Sequence, residues 1–178
     1  MSENYFQLFG LPVGFAVDGE ALALRYRDLQ KAVHPDRFAG GSDRERLLSV
    51  QQASLINEAF RTLKDPLARA RYLLELSGIV LSDSDTAMDP MFLMEQMELR
   101  EALDEAPRAA DPFAALNKVR DQAEATERQL LEELAAMFSA NNPDALKAGS
   151  ERLRKLQFMR KLLNEVDERE EDLVHEHS

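Results

Sequence analysis

The sequence predicts an all-α protein in which a helical hairpin unit precedes a three-helix bundle. Apolar residues recur at spacings of three and four along most of the 178-residue chain, and no segment has the sustained alternation of a half-buried strand. The seven glycines and seven prolines lie mostly between these periodic runs, where they end helices. Charge divides the chain too: residues 1–75 have no net charge, and residues 76–178 carry the entire net charge of −11. This division indicates two units with different tasks.

The first helices of the hairpin unit are defined by a short apolar run and by a longer stripe. A short helix is predicted around Tyr5–Leu8, before the first glycine and proline. A longer helix begins at Asp18, a residue type that favours the N-cap position. Its apolar stripe consists of Leu22, Tyr26, Leu29 and Val33.

This helix has a basic side and ends abruptly. Arg27 and Lys31 project one turn apart, opposite the apolar stripe. Pro35 disfavours helical geometry at His34, so the helix is predicted to end there. The next residues, through Gly40-Gly41, are expected to form the tip of a hairpin.

A second long helix is predicted to return along the first. It is predicted to begin at Ser42, which has the S-x-x-E spacing of a capping box with Glu45, and to end at Asp65-Pro66. A further helix runs from about Pro66 to Leu76. The predicted buried side of the second long helix comprises Leu48, Leu55, Ile56, Ala59, Phe60 and Leu63.

The remainder of the chain is predicted to form a linker and three more helices. Residues 78–89 lack periodicity and contain glycine, serine and aspartate, which is typical of a linker. Breaks at Pro107, Pro112 and the Asn-Asn-Pro sequence before Asp144 delimit the helices. We therefore predict an N-terminal unit over 1–77, a linker over 78–89 and a C-terminal unit over 90–178, with helices at 90–106, 112–139 and 143–172.

The His-Pro-Asp sequence at the hairpin tip has several interpretations. A lone histidine at a helix end is often structural, because the helix dipole favours it there. A catalytic pair with Asp36 is disfavoured, since no serine, cysteine or second base is arranged around it. Pro35 fixes the backbone, so His34 and Asp36 would be presented to a partner at little entropic cost, and the carboxylate could accept paired hydrogen bonds from an arginine.

The hairpin residues resemble the J-domain of DnaJ-type co-chaperones. The matching residues are Tyr26-Arg27, His34-Pro35-Asp36 and the run Asn57-x-Ala59-Phe60-x-x-Leu63-x-Asp65-Pro66-x-x-Arg69-x-x-Tyr72. J-domains stimulate ATP hydrolysis by seventy-kilodalton heat-shock chaperones. The resemblance implies a chaperone-binding surface made of Tyr26, Arg27, Lys31, His34, Pro35, Asp36 and Arg37. The chain departs from the J-domain pattern at Asp28, where a basic residue is frequent, and Arg37 stands where lysine is frequent.

The predicted helix at 90–106 has two apolar sides. Phe92, Leu99, Ala102, Leu103 and Ala106 form one side, which is sufficient for a core. Leu93, Met94 and Met97 lie on the other side among acidic residues, which disfavours deep burial. Phe158, on the last helix, likewise lies opposite the core stripe there. Although a stray methionine or phenylalanine usually belongs to a core, this arrangement favours an exposed docking surface.

The same segments are similar to the HscB co-chaperones of bacterial iron–sulfur cluster assembly. The similarity includes FLMEQMELREALDE, RKLQFMRKL, LFGLP and RARYLLEL, and it extends over nearly the whole chain. It implies that the C-terminal domain binds an IscU-type scaffold protein and delivers it to an HscA-type chaperone. The implied scaffold-binding residues are Leu93, Met94, Met97, Glu98, Arg100, Glu101, Glu105 and Phe158, with methionine at 97 where leucine is common.

Other function classes are disfavoured by composition. The chain has no cysteine for thiolate ligation, no GxxxxGK[ST] phosphate loop and no E-x-x-H pair typical of di-iron bundles, so we expect no cofactor, no metal and no enzymatic activity. His175 and His177 are expected on a solvated end. The acidic charge disfavours nucleic acid and anionic membranes as partners, and neither a signal peptide nor a membrane span is predicted, so we expect a cytoplasmic protein. One alternative stays open, in which the J-domain delivers a different client to a DnaK-type chaperone.

Overall fold

The computed structural model describes residues 3–81 and 88–178, and the chain divides into two compact units, Met1–Ser77 and Gly78–Ser178. All regular elements of the described residues are helical, so the all-α prediction is confirmed. The helices are α1 (Tyr5–Leu8), α2 (Gly19–Val33), α3 (Asp43–Lys64), α4 (Pro66–Leu76), α5 (Pro90–Glu105), α6 (Pro112–Ala140) and α7 (Pro143–Glu176), with 3-10 turns at Pro35–Phe38 and Ala106–Arg108. Much of the linker predicted at 78–89, namely residues 82–87, lies outside the described residues.

Short polar side chains determine where the helices begin. Each of the seven helices has an N-cap side chain that accepts a backbone N–H from its first turn, which satisfies a donor that would otherwise lack a partner. Proline follows this cap in the last four helices, where its fixed φ suits the first helical position. The caps are Asn4, Asp18, Ser42, Asp65, Asp89, Asp111 and Asn142.

The core of the first unit lies where α2, α3 and α4 meet the short α1, and it corrects one prediction. Leu48 and Leu55 were predicted to be buried but are 46% and 44% exposed. Each directly precedes a buried residue of α3, Ser49 or Ile56, and therefore lies about 100° around the helix from the core direction. The buried apolar residues of this unit are Phe6, Phe9, Leu22, Ile56, Ala59, Leu63, Ala70, Leu73 and Leu74.

In the second unit, α6 and α7 are joined by a short turn and pack along each other, with α5 against them. Asn141 adopts the left-handed conformation (φ 48°) that ends α6. The buried residues of the two long helices include Leu116, Val119, Ala123, Leu130, Leu134, Leu153, Leu156, Met159, Leu162, Val166 and Leu173. None of the helices that the structure describes is long and apolar enough to span a bilayer.

The buried side of α5 differs from its predicted stripe. Phe92, Leu103 and Ala106 are buried as predicted, but Ala102 is exposed. Gln96 is buried instead, and its side-chain Nε2 has no hydrogen-bond partner among the described residues. The burial of Gln96 was not predicted, because the predicted stripe was built from the spacing of apolar residues alone.

Candidate interaction surfaces

The tip of the hairpin is a single 3-10 turn held by its own backbone. His34 Nδ1 accepts the Asp36 backbone N–H at 3.2 Å, and the Arg37 backbone N–H donates to the His34 carbonyl at 3.0 Å. The Asp36 carboxylate lies 3.5 Å from His34 Nδ1, beyond a good hydrogen bond, and its side chain is 91% exposed. The turn therefore fixes the histidine ring and leaves the carboxylate facing solvent.

Two further side chains connect this tip to the hairpin. The hydroxyl of Ser49, buried on α3, donates to the Val33 carbonyl at 3.2 Å. The Arg37 guanidinium donates to the Lys31 carbonyl at 3.3 Å. Both bonds satisfy carbonyls at the end of α2 that have no partner within the helix. Arg37, which was predicted only as a contact residue, thus also holds the tip, and Ser49 was missed.

Tyr26 fixes α2 against α3. Its ring stacks on Phe60 with centroids 3.9 Å apart and an interplanar angle of 10°. Its hydroxyl donates to Asn57 Oδ1 at 2.6 Å and accepts from Gln30 Nε2 at 2.8 Å. Asn57 was named only for its match to the J-domain pattern, and Gln30 was not predicted, because an isolated polar residue on a helix carries no distinctive signal.

A groove beside the tip carries positive charge. It encloses about 680 Å³ between α2, the tip and α3, and it has three cationic side chains but no carboxylate in its lining. Asp28, although exposed on α2, is not among the lining residues. Such a groove suits an acidic partner surface. The lining consists of Arg27, Gln30, Lys31, His34, Pro35, Arg37, Ala53 and Asn57.

A second candidate surface lies on α5 and α7 of the C-terminal unit. Leu93, Met94, Met97 and Phe158 are all exposed, and together they are called the docking patch below. Phe158 lies between two α7 residues that reach α5: Lys155, whose ammonium is 5.3 Å from the Phe92 ring centroid, and Glu165, which pairs with Arg100 at 3.0 Å. This pairing aligns α7 with the stretch of α5 that carries the rest of the patch.

Acidic side chains surround the docking patch. Glu98, Glu101 and Glu105 are exposed on the same helix, in keeping with the prediction that acidic residues lie around the second apolar side. Arg100 is half-buried and its guanidinium is used in the ion pair with Glu165, so it joins α5 to α7. Met91, one turn before Met94, is 72% exposed and was not predicted as part of this surface.

The described residues contain no group of three or more metal-ligating side chains. At the C-terminal end of α7, the His177 Nδ1 lies 2.8 Å from the Leu173 carbonyl, and its ring meets Phe113 edge-on. The second histidine of this segment, His175, is exposed.

Comparison with known proteins identifies the family. The C-terminal unit matches the model described as "HSCB C-terminal oligomerisation domain" over residues 88–167. The chain is 48% identical over 172 residues to the co-chaperone protein HscB homolog of Vibrio cholerae, a match that covers 96% of this chain and 99% of that relative. The chain belongs to the HscB family of co-chaperones. A Shewanella oneidensis HscB homolog is 43% identical with the same coverage of both chains.

Solved structures of HscB proteins have the same fold. The HscB structure from Vibrio cholerae matches with a TM-score of 0.87 and covers 96% of this chain and 99% of that one. Human HscB matches with a TM-score of 0.88 at 31% identity, over 95% of this chain and 83% of the human chain. Jac1 from Saccharomyces cerevisiae is 23% identical with a TM-score of 0.72, over 94% of each chain, and supports the fold alone. The arrangement of a J-domain followed by a helical bundle is therefore that of the HscB family.

Proposed function

We propose that this co-chaperone stimulates the ATPase of an HscA-type chaperone and delivers an IscU-type scaffold protein to it, thereby aiding iron–sulfur cluster assembly and transfer. It would act in the cytoplasm as an adaptor between two proteins, without catalysis of its own. The J-domain, residues 1–77, would contact the chaperone, and the C-terminal domain, residues 90–178, would carry the scaffold. The observation that carries the proposal is the rigid, solvent-facing tip beside a cationic groove.

The tip supports chaperone binding because its conformation is already fixed in the free protein. The hydrogen bond between His34 and Asp36 fixes the turn, so little conformational entropy remains to be lost on association. The exposed carboxylate can accept hydrogen bonds from a chaperone arginine, and the groove favours an acidic surface next to it. The proposed chaperone-binding residues are Tyr26, Arg27, Lys31, His34, Pro35, Asp36 and Arg37.

The docking patch supports scaffold binding because an exposed apolar group ringed by carboxylates suits a partner with an apolar centre and a basic rim. Methionine adapts its shape to a partner more readily than branched residues do. The proposed scaffold-binding residues are Leu93, Met94, Met97, Glu98, Arg100, Glu101, Glu105 and Phe158.

The proposal is tested by measuring HscA ATPase activity with and without the purified scaffold. Asp36→Ala is expected to abolish stimulation, because it removes the exposed acceptor, while far-ultraviolet circular dichroism is unchanged. Asp43→Ala, which removes an exposed carboxylate in the first turn of α3, is the matched control and should stimulate as the wild type does. Stimulation retained by Asp36→Ala would refute the chaperone-binding role.

The scaffold arm of the test uses Leu93→Ala/Met97→Ala/Phe158→Ala in a pull-down with the purified scaffold. These residues lie outside the J-domain, so basal stimulation of the chaperone should persist while scaffold capture is lost. If wild type and triple variant capture the scaffold equally, the patch does not bind it. If neither captures it while both stimulate the chaperone, the chain delivers a different client.

A further inference from the structure

Three exposed methionines form a row along α5. Met91, Met94 and Met97 are spaced three residues apart, and their side chains are 72%, 63% and 70% exposed. Two of them belong to the docking patch, and Met91 extends it by one turn towards the start of the helix. The name methionine row is used below for these three residues.

The other methionines of the second unit are less accessible. Met159 is buried, and Met88 and Met137 are half-buried, so reagents in solution reach the methionine row more readily than these three residues. The sequence has no cysteine, and between residues 2 and 87 it has no methionine. The thioethers that are most accessible to oxidants are therefore those on the surface proposed to hold the client.

We propose that the methionine row is a reversible oxidation site at which peroxides weaken client binding. This inference rests on the proposed function of the docking patch. Hydrogen peroxide transfers one oxygen to the thioether: the O–O bond breaks, an S–O bond forms, the sulfur loses two electrons and the second peroxide oxygen leaves as water. The product, methionine sulfoxide, is polar, and methionine sulfoxide reductases return it to the thioether by using electrons from a thiol.

Oxidation would act on the patch without changing the fold. The row faces solvent in the free protein, so a polar oxygen there is hydrated and costs the helix little. Once a client covers the row, each sulfoxide oxygen loses that water, and burying it without a partner disfavours binding. The neighbouring Glu98 and Glu101 carboxylates cannot compensate, since sulfoxide and carboxylate oxygens are both acceptors.

The two units would respond differently to the same oxidant. Apart from Met1, the J-domain has no oxidisable sulfur, so its stimulation of the chaperone should survive treatment that disables the patch. Peroxide would therefore uncouple client delivery from ATPase stimulation while the protein stays intact. A client already bound would cover the row and protect it.

The test treats the full-length protein with hydrogen peroxide, removes the excess with catalase, and then measures affinity for untreated IscU-type scaffold. Mass spectrometry is expected to find the row oxidised before Met88, Met137 and Met159, and the affinity for the scaffold should fall about tenfold or more. Treatment with methionine sulfoxide reductase and dithiothreitol should restore the affinity for the scaffold. Basal ATPase stimulation should be unchanged throughout, which shows that the J-domain is intact, and an unchanged far-ultraviolet circular dichroism spectrum should show that the C-terminal helices remain folded.

The matched variant is Met91→Leu/Met94→Leu/Met97→Leu, which keeps apolar volume and helix propensity but cannot be oxidised at the row. It should bind the scaffold to a similar extent with and without peroxide. Undiminished binding by oxidised wild type would overturn the inference, as would an equal loss in the leucine variant. Absence of binding by the untreated wild type would instead refute the proposed function and the inference together.

Discussion

At the scale of single residues, Ser49 links the core of the hairpin to its functional tip. Its hydroxyl is the partner of the Val33 carbonyl, immediately before the His-Pro-Asp sequence, and the side chain is 2% exposed. The residue therefore contributes both to stability and to the position of His34. A serine at this site costs little in helix propensity and gains a bond that no apolar residue could make.

Ser49→Ala is expected to destabilise the protein by about 1 kcal/mol, because the buried carbonyl loses its partner while the side-chain volume hardly changes. Urea unfolding measures the loss. Ser54→Ala, at an exposed position of the same helix, is the control and should stay within about 0.5 kcal/mol of the wild type. Equal stabilities of the two variants would show that the Ser49 bond contributes nothing net.

The tip could be predicted from sequence because its determinants are local. Pro35 dictates where the helix ends whatever surrounds it, and Asp36 and Arg37 follow in the same turn. Ser49 and Gln96 could not be predicted, since each is a polar residue whose burial depends on a helix distant in sequence. The prediction for Leu48 and Leu55 is wrong for the opposite reason: they are apolar, but none of the described elements packs over that flank of α3 closely enough to bury them.

At the scale of elements, α5 carries most of the docking patch, and its first turn is held by one carboxylate. Asp89 Oδ1 accepts the Met91 backbone N–H at 3.0 Å, and Oδ2 accepts from the Lys155 ammonium at 3.2 Å. The backbone hydrogen bond and then the lysine favour the ionised form, and they lower the pKa of Asp89 below its usual value. The same contacts anchor the start of α5 to α7.

Acid is therefore expected to weaken this anchor. Because the pKa of Asp89 is lower in the folded protein than in the unfolded chain, its contribution is fully present above the unfolded value and is lost as the pH falls through the folded value. Asp89→Asn keeps a capping acceptor but cannot ionise. The stability advantage of wild type over this variant, measured by urea unfolding, should shrink as the pH falls below about 4.

The control for this prediction is Asp121→Asn, an exposed position in the middle of α6 that caps no helix. The difference in stability between this variant and the wild type should change less over the same range of pH. A constant advantage of wild type over Asp89→Asn would show that the carboxylate charge does not stabilise α5.

At the scale of the whole molecule, the distribution of charge matches the two proposed tasks. The N-terminal 75 residues have no net charge, yet three of their ten cationic side chains line the groove without a carboxylate beside them, whereas the net charge of −11 lies entirely in the rest of the chain. The two surfaces would thus attract partners of opposite sign. Binding of the chaperone and binding of the scaffold would then compete little, which an adaptor that brings both into one complex requires.

The same distribution predicts how chaperone stimulation depends on salt. Raising the ionic strength from about 0.01 M to about 0.15 M shortens the Debye length from about 30 Å to about 8 Å, which screens attraction between the exposed groove and an acidic chaperone surface. The concentration of co-chaperone that gives half-maximal ATPase stimulation should therefore rise several-fold. Arg27→Gln/Lys31→Gln should remove most of this dependence, while Arg44→Gln, which lies outside the groove lining, should retain it. A half-maximal concentration that is independent of salt in the wild type would mean that the cationic groove does not steer the chaperone.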